Sequence, residues 1–183
     1  MTIPGNGYLK KMRGVTSTPP RVNLSEIIWS WMGAFLGISA VAYLNYVILD
    51  GSDIGLMLGS FGASAVLIYG AIKSQLAPPR NLIGGHVFSG FIGVASYKLF
   101  HPCMWMAAAF AVATALALMH ITKTLHPPGG ATALIAVIGG EKVHSLGFLY
   151  PIMPAGLGAI IMLVVALLVN NIPKTRKYPE FWI

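Results

Sequence analysis

The most informative stretch of the sequence is His126-Pro127-Pro128-Gly129-Gly130-Ala131-Thr132-Ala133, followed by an apolar run to Gly140. The two prolines bar the residues before them from continuing a helix, because proline lacks an N–H and restricts its predecessor. Proline is well tolerated in a first helical turn, so a new helix is predicted to begin near Pro128. At about 11–12 residues, or roughly 17 Å, that helix is too short to cross a hydrocarbon core of about 30 Å.

A half-length helix inside a membrane has an electrostatic consequence. It leaves an electropositive N-terminus and four free N–H groups at membrane depth. Gly129 and Gly130 would let a solute approach that backbone closely. The stretch therefore predicts a site for a small anion.

The composition indicates that most of the chain is surrounded by lipid. Of its 183 residues, 56% are hydrophobic and 9% are charged, whereas a soluble domain carries about 25% charged residues. We predict one transmembrane domain over residues 24–171, between a cytoplasmic tail (1–23) and a basic tail (172–183).

The net charge of +7 lies mainly at the termini, which favours contact with anionic lipid over nucleic-acid binding. The single cysteine, Cys103, excludes an intrachain disulfide and a cysteine-based metal cluster, and we expect no cofactor.

Three stretches resemble the HPP family of small integral membrane proteins. The likeness covers roughly residues 24–171, and these stretches carry it: Gly59-Ser60-Phe61-Gly62-Ala63-Ser64-Ala65, residues 79–86 and residues 126–133. The resemblance implies a fold with four membrane spans and, as in some members, transport of nitrite.

Hydropathy divides the chain into six apolar segments of an all-α integral membrane fold. Four are of full length, at about 24–49, 80–100, 103–122 and 148–170. The second segment, about 54–72, is interrupted by glycines, and the fifth is the half-length helix described above. A short acidic turn, Asp50-Gly51-Ser52-Asp53, separates the first two segments.

An internal repeat is visible in the two short segments. Gly62-Ala63-Ser64-Ala65-Val66-Leu67 resembles Gly130-Ala131-Thr132-Ala133-Leu134-Ile135, 68 residues later. Each half then consists of a full span, a Gly-rich short helix and a full span, and three crossings per half would invert the second half. Transporters built in this way bind substrate near mid-membrane, where broken helices meet. We therefore predict two inverted repeats whose short helices aim their N-terminal regions, near 59–62 and 128–130, at one point; chance similarity is the alternative.

The positive-inside rule gives the predicted orientation. With six crossings and a cytoplasmic N-terminus, ten of the 12 Lys and Arg residues lie inside and only Lys98 and Lys142 lie outside. If the two short segments were re-entrant and only four helices crossed, the distribution would be eight against four. The rule favours six crossings, in a bacterial-type inner membrane with both termini cytoplasmic.

The candidate substrate-binding residues are the polar and glycine-rich positions of the short segments and of the start of the third. They are Ser60, Gly62, Ser64, Arg80, Asn81, His86, His126, Pro127, Pro128, Gly129, Gly130 and Thr132.

Structural roles are open for several of them. His126 either lines the pathway or caps the helix break, and His86 either binds solute or joins helices. The hydroxyls can bond to their own helix carbonyls instead. Arg80 either binds an anion or extends to the interface. Tyr150, with three tryptophans, is expected at the membrane interface.

The predicted function is a transporter or channel for a small inorganic anion, with nitrite favoured by the resemblance. No carboxylate lies deep in the predicted spans to repel an anion. One alternative is a membrane enzyme with histidine metal ligands, although the five histidines form no His-x-x-His or His-x-x-x-His pair. The other is a structural or regulatory subunit, whose small-residue faces would suit a homo-oligomer. We expect a transporter and not an enzyme.

Overall fold

The regular structure is entirely helical in the part of the chain that the computed structural model describes, namely Met12 and residues 21–49 and 54–183. The predicted acidic turn at 50–53 and most of the predicted N-terminal tail lie outside these residues. Seven α-helices are present in the described part: α1 Leu24–Leu49, α2 Ile54–Ala65, α3 Pro79–Phe100, α4 Met104–Ile121, α5 Pro127–Ile138, α6 Glu141–Leu146 and α7 Leu157–Asn170.

Two helices have irregular extensions. A π-helical turn, Val66–Gly70, continues α2. A 3-10 turn, Gly147–Leu149, and a π-helical stretch, Pro151–Gly156, lead into α7, with Pro154 inside the irregular stretch. Such irregularities leave some backbone N–H and C=O groups without their regular helical hydrogen-bond partners. In a membrane protein they are tolerated where other parts of the protein shield them from lipid.

Three of the described helical segments are long and apolar enough to cross a bilayer. These are Leu24–Leu44, Met104–Ile121 and Pro151–Asn170. A fourth span arises if Pro127–Ile138 and Glu141–Leu149, which are bent by 98°, cross together. The 22 residues of α3 reach about 33 Å at 1.5 Å per residue, but this helix carries more polar residues.

The predicted half-length helix is confirmed, because α5 contains 12 residues and ends at Ile138, directly before Gly139. Both α3 and α5 begin directly at a proline, Pro79 and Pro127. The fixed φ of proline suits the first helical position, where the missing N–H costs no helical bond. Proline therefore sets the start of the two helices that pack most extensively on each other.

Small residues determine how closely these helices approach. Ala107, Ala111 and Ala115 form a fully buried stripe on α4, against Ala133 and Val137 of α5. Without a hydrophobic driving force between helices in lipid, close packing of small side chains is a main source of association. The helix α3 also packs on α4, while α1 packs on α7.

Contacts made by the loops define two ends of the bundle. At one end, which we call the basic end (residues 71–78, 122–126 and 171–178), the Asn81 amide donates to the Leu125 carbonyl at 2.8 Å and the Tyr178 hydroxyl to the Ala77 carbonyl at 2.8 Å. At the opposite end, the Tyr97 ring stacks on His144 at 3.8 Å between centroids. Of the described loops, residues 71–78, 122–126 and 171–178 thus lie at the basic end, and His144 lies at the opposite end.

The C-terminal segment is not only a basic tail, because Arg176 is buried. Its residue exposure is 5%, and its Nε lies 3.4 Å from Oε2 of Glu26 in α1. An Nη2 proton is donated to the Tyr69 carbonyl. Burial lowers the pKa of the Arg176 guanidinium, and the Glu26 carboxylate opposes that shift. The side chain therefore ties the C-terminal segment to α1 and to the end of α2.

Arg176→Gln is expected to destabilise the protein by about 1–3 kcal/mol, because it leaves Glu26 and the Tyr69 carbonyl without a partner. Thermal unfolding in detergent measures the effect. The matched control is Lys177→Gln, since Lys177 is exposed and its loss should change stability by less than about 0.5 kcal/mol. Equal effects of the two variants would contradict a structural role for Arg176.

Candidate functional site

Five polar side chains meet in the interior beside the break before α5. We call them the His–hydroxyl cluster: Ser60, Ser64, His86, His126 and Thr132. Each is at most 3% exposed. They come from α2, from α3, from the residue before α5 and from α5 itself. Buried polar groups are costly unless paired, so their mutual contacts determine what this cluster can do.

His86 is the centre of the cluster. Its Nδ1 lies 2.6 Å from Oγ1 of Thr132, and its Nε2 lies 2.8 Å from Oγ of Ser64. The Ser60 hydroxyl lies 2.7 Å from Thr132 Oγ1. The two positions that the internal repeat equates, Ser64 and Thr132, therefore contact the two nitrogens of one imidazole.

A second imidazole extends the network. Nε2 of His126 lies 2.9 Å from Ser64 Oγ, so one hydroxyl bridges two histidines whose ring centroids are 5.4 Å apart. Nδ1 of His126 lies 2.9 Å from the Leu76 carbonyl oxygen. The ring of Phe61 covers His86 at 5.0 Å between centroids.

The Leu76 carbonyl assigns the direction of the hydrogen bonds that link Thr132, His86, Ser64 and His126 in the neutral cluster. A carbonyl only accepts, so Nδ1 of His126 carries the proton and its Nε2 accepts from the Ser64 hydroxyl. Ser64 in turn accepts from Nε2–H of His86, whose Nδ1 accepts from the Thr132 hydroxyl. The result is a continuous chain of donors in one direction, from Thr132 to Leu76.

Glycines on α3 and α5 make room for this arrangement. A Cβ atom at Gly85 would stand 2.5 Å from Cβ of His126, and one at Gly129 would stand 2.6 Å from the Gly85 carbonyl oxygen. Any side chain at either position would push α5 and its preceding residue away from α3. The motif glycine at 129 therefore serves close helix packing.

The prediction of a helix N-terminus with four free N–H groups is wrong. Pro127 and Pro128 have no N–H, and the Gly129 N–H donates to the His126 carbonyl at 2.8 Å. Proline thus removes the donors that a helix start otherwise offers an anion. The polar groups at this helix start are side chains of the cluster.

The predicted pair of facing N-terminal tips is also wrong for the second segment. Because α2 begins at Ile54, the stretch 59–62 lies within a continuous helix, and α2 meets the start of α5 with its side. Glycine does not interrupt a helix where lipid and packing require every backbone bond to be made internally. His86 lies seven residues after Pro79, about 10 Å along the 22 residues of α3, so the cluster lies between the basic end and the middle of that helix.

The remaining candidate residues divide into those beside the cluster and those away from it. Pro128 lies beside it, since its carbonyl oxygen is 3.1 Å from Ser60 Oγ, and Pro127 begins the same helix. The Asn81 amide joins two loops through the Gln75 and Leu125 carbonyls. Asn81 therefore shapes the basic end and has no hydrogen bond to the cluster.

Three further candidates face elsewhere. Gly62 lines a cavity of about 410 Å³ beside α1. Arg80 lines a separate apolar cavity of about 640 Å³ with Phe88 and Trp182. A Cβ at Gly130 would have only Val112 within reach, at 3.9 Å. Helical position alone did not distinguish these residues from the cluster.

Two residues near the cluster were not predicted as site residues. Ser89 is fully buried, its hydroxyl has no hydrogen-bond partner, and it lies 2.9 Å from where a Gly129 Cβ would stand. Its spacing of three from His86 on α3 places both on one helix face, a signal available in the sequence. The Tyr150 hydroxyl donates to the Thr132 carbonyl at 3.0 Å. Tyr150 is buried, so the prediction of an interface position is wrong.

Among the described residues, no group of three or more His, Cys, Asp or Glu side chains is arranged to hold a metal ion. The two imidazoles of the cluster are bridged by a hydroxyl.

Apolar helices of spanning length around a buried polar cluster define a polytopic α-helical integral membrane protein. Residues 19–179 match the family model described as HPP, transmembrane region. The chain therefore belongs to the HPP family of transmembrane proteins, and the resemblance of its three motifs is confirmed.

Two relatives from Dictyostelium discoideum, each named only as a transmembrane protein, are similar over nearly the whole chain. One is 46% identical over 178 residues and the other 43% identical over 180 residues, each match covering 96% of this chain. The chain spans 57% and 63% of the lengths of these relatives. No solved structure matches the chain.

Proposed function

We propose that the protein transports a small inorganic anion, with nitrite as the first candidate, and that the His–hydroxyl cluster is its binding site. One observation carries the proposal. Five polar side chains are sealed from solvent and bonded to one another beside a helix break in an otherwise apolar bundle. Polar groups inside a membrane protein are costly and mark substrate paths by default.

The cluster offers an anion hydrogen-bond donors that currently pair with each other. A bound oxyanion would accept from Ser60 in place of its 2.7 Å bond to Thr132, and from Thr132 in place of its 2.6 Å bond to Nδ1 of His86. Ser89 would supply a hydroxyl that has no partner in the sealed state. Within the described residues, none of the cluster's hydrogen bonds reaches a carboxylate that would repel the anion.

Transport also requires that the cluster open alternately to the two sides. The broken helix α5–α6, with its bend of 98°, and the irregular stretch before α7 are the elements suited to such a movement. The proposal also includes an inverted relation of the two halves and a homo-oligomer. It places both termini on the cytoplasmic side of a bacterial-type inner membrane, and it assigns the protein no enzymatic activity.

Purified protein in liposomes is expected to take up labelled nitrite faster than empty liposomes, and Ser60→Ala should reduce the protein-dependent rate about tenfold, the equivalent of about 1.4 kcal/mol. Empty liposomes at the same pH correct for leakage of nitrous acid. Ser145→Ala is the matched control, because Ser145 is exposed and bonds only within its own turn, to Lys142.

Uptake of nitrite, nitrate, formate and chloride that never exceeds the rate of empty liposomes would overturn the proposal. A non-conducting subunit would give that result. If Ser60→Ala and Ser145→Ala lost uptake equally, the cluster would not be the binding site for the transported anion.

A further inference from the structure

We infer that the His–hydroxyl cluster couples the anion to a proton, because Ser64 Oγ joins the Nε2 atoms of His86 and His126 into one directed hydrogen-bond chain. The inference rests on the proposed transport function and deepens it. The bridge distances are 2.8 Å to His86 and 2.9 Å to His126. Imidazole is the side chain whose unperturbed titration falls near neutral pH.

The direction of the chain permits a balanced transfer. A proton that arrives with the anion binds Oγ1 of Thr132 as that hydroxyl passes its own proton to Nδ1 of His86. Nε2–H of His86 passes to Ser64 Oγ, and the Ser64 proton passes to Nε2 of His126. Each O–H or N–H bond broken is replaced by one formed, and one added proton remains as the imidazolium of His126.

One contact of His126 stabilises that charge. Its Nδ1–H donates to the Leu76 carbonyl at 2.9 Å, and such a bond strengthens when the donor is charged. The same transfers in reverse return the proton to the departing anion. The cluster then carries one proton and one anion together, with no net charge.

Among the described residues, the groups that face the two imidazoles carry no charge that could compensate that of a bound anion. From α2 they are Ser60, Ser64 and the Phe61 ring; from α5, Thr132; and from the basic end, the Leu76 carbonyl.

Beyond Thr132, the next titratable group is the Tyr150 hydroxyl. Within the described residues, no hydrogen bond of the cluster reaches a lysine or arginine. An anion buried there alone would be an unpaired charge, which is strongly unfavourable.

Proteoliposomes containing a pH-sensitive dye test the coupling. Labelled nitrite uptake is measured under an imposed pH gradient, acid outside, and separately under a potassium diffusion potential set with valinomycin, with empty liposomes subtracted in both. We expect one proton to enter per nitrite, uptake accelerated at least tenfold by the pH gradient, and no change with voltage.

Uptake driven by voltage without proton entry would overturn the coupling and leave anion transport standing. No protein-dependent uptake would overturn transport and the coupling together.

Ser64→Ala tests the bridge itself. The ratio of gradient-driven uptake to nitrite counterflow should fall about tenfold, and Ser64→Thr, which keeps the hydroxyl, should restore at least part of it. Thermal unfolding of each variant shows whether it has folded. A folded Ser64→Ala protein with the wild-type ratio would overturn the assignment of Ser64 as the link.

Discussion

Gly129→Ala is expected to destabilise the protein strongly, whereas Gly130→Ala, one residue further along the same helix, is expected to have little effect. A Cβ at 129 would stand 2.6 Å from the Gly85 carbonyl oxygen and 2.9 Å from Ser89 Oγ. The first of these atoms belongs to the backbone of α3, so relief requires the two helices to separate. Overpacking of this kind costs about 1–3 kcal/mol, which corresponds to a Tm lower by roughly 2–12 °C.

The comparison with Gly130→Ala is a matched one, because both changes add one methyl group to the first turn of α5. At 130 the nearest heavy atom is Val112 Cγ1 at 3.9 Å, and alanine is the better helix former by about 1 kcal/mol. Thermal unfolding in detergent measures both variants. A Tm of Gly129→Ala at or above that of Gly130→Ala would contradict the close approach of α3 and α5.

His86→Ala is the second change with a large expected effect. The ring is fully buried, and its removal would leave a cavity and deprive the Ser64 and Thr132 hydroxyls of their partner nitrogens. The lost packing and unpaired groups together should cost about 2–5 kcal/mol. The rate of nitrite uptake should fall to that of empty liposomes.

His120→Ala provides the control, since His120 lies in α4 and is exposed. It should keep wild-type stability within about 0.5 kcal/mol and wild-type uptake. If His120→Ala abolished uptake while a folded His86→Ala protein retained it, the binding site would have to be sought outside the cluster. Unfolding curves and uptake rates for both variants decide between these outcomes.

Local chemistry was sufficient to predict most of the helices. The breaks before Pro79 and Pro127 follow from the geometry of proline, which acts on neighbouring residues and requires no knowledge of the fold. The short length of α5 follows from the distance between that break and Gly139. The start of α2 near residue 54 was predicted, but the predicted interruption of this segment by glycines was wrong, because the weak helix propensity of Gly59 and Gly62 is overridden when a helix is packed in an apolar surrounding.

The site could be predicted only in part. Ser60, Ser64, His86, His126 and Thr132 were among the candidates because polar residues in apolar segments are unusual. Arg80 was a candidate on the same ground and Gly62 as part of the glycine-rich short segment, yet they face separate cavities. Sequence spacing gives the face of a helix that a residue occupies, but not which neighbouring helix that face meets.

The buried Arg176 shows the same limit. In the sequence it is one of several terminal basic residues, and a terminal cation by itself indicates only orientation. Its contacts with Glu26 and the Tyr69 carbonyl arise from the packing of the C-terminal segment against α1 and α2. Lys177, its neighbour, remains exposed.

The sequence by itself determined that lipid surrounds most of the chain and which family the chain belongs to. It also determined the helix breaks at proline and the half-length of α5, because these properties depend on composition and on bonds between adjacent residues. The tertiary structure alone decided that Ser64 bridges two imidazoles and that the Leu76 carbonyl orients the chain of donors. Such contacts join residues up to 72 positions apart. They depend on the rotation and crossing of whole helices, which side-chain packing along their full length determines.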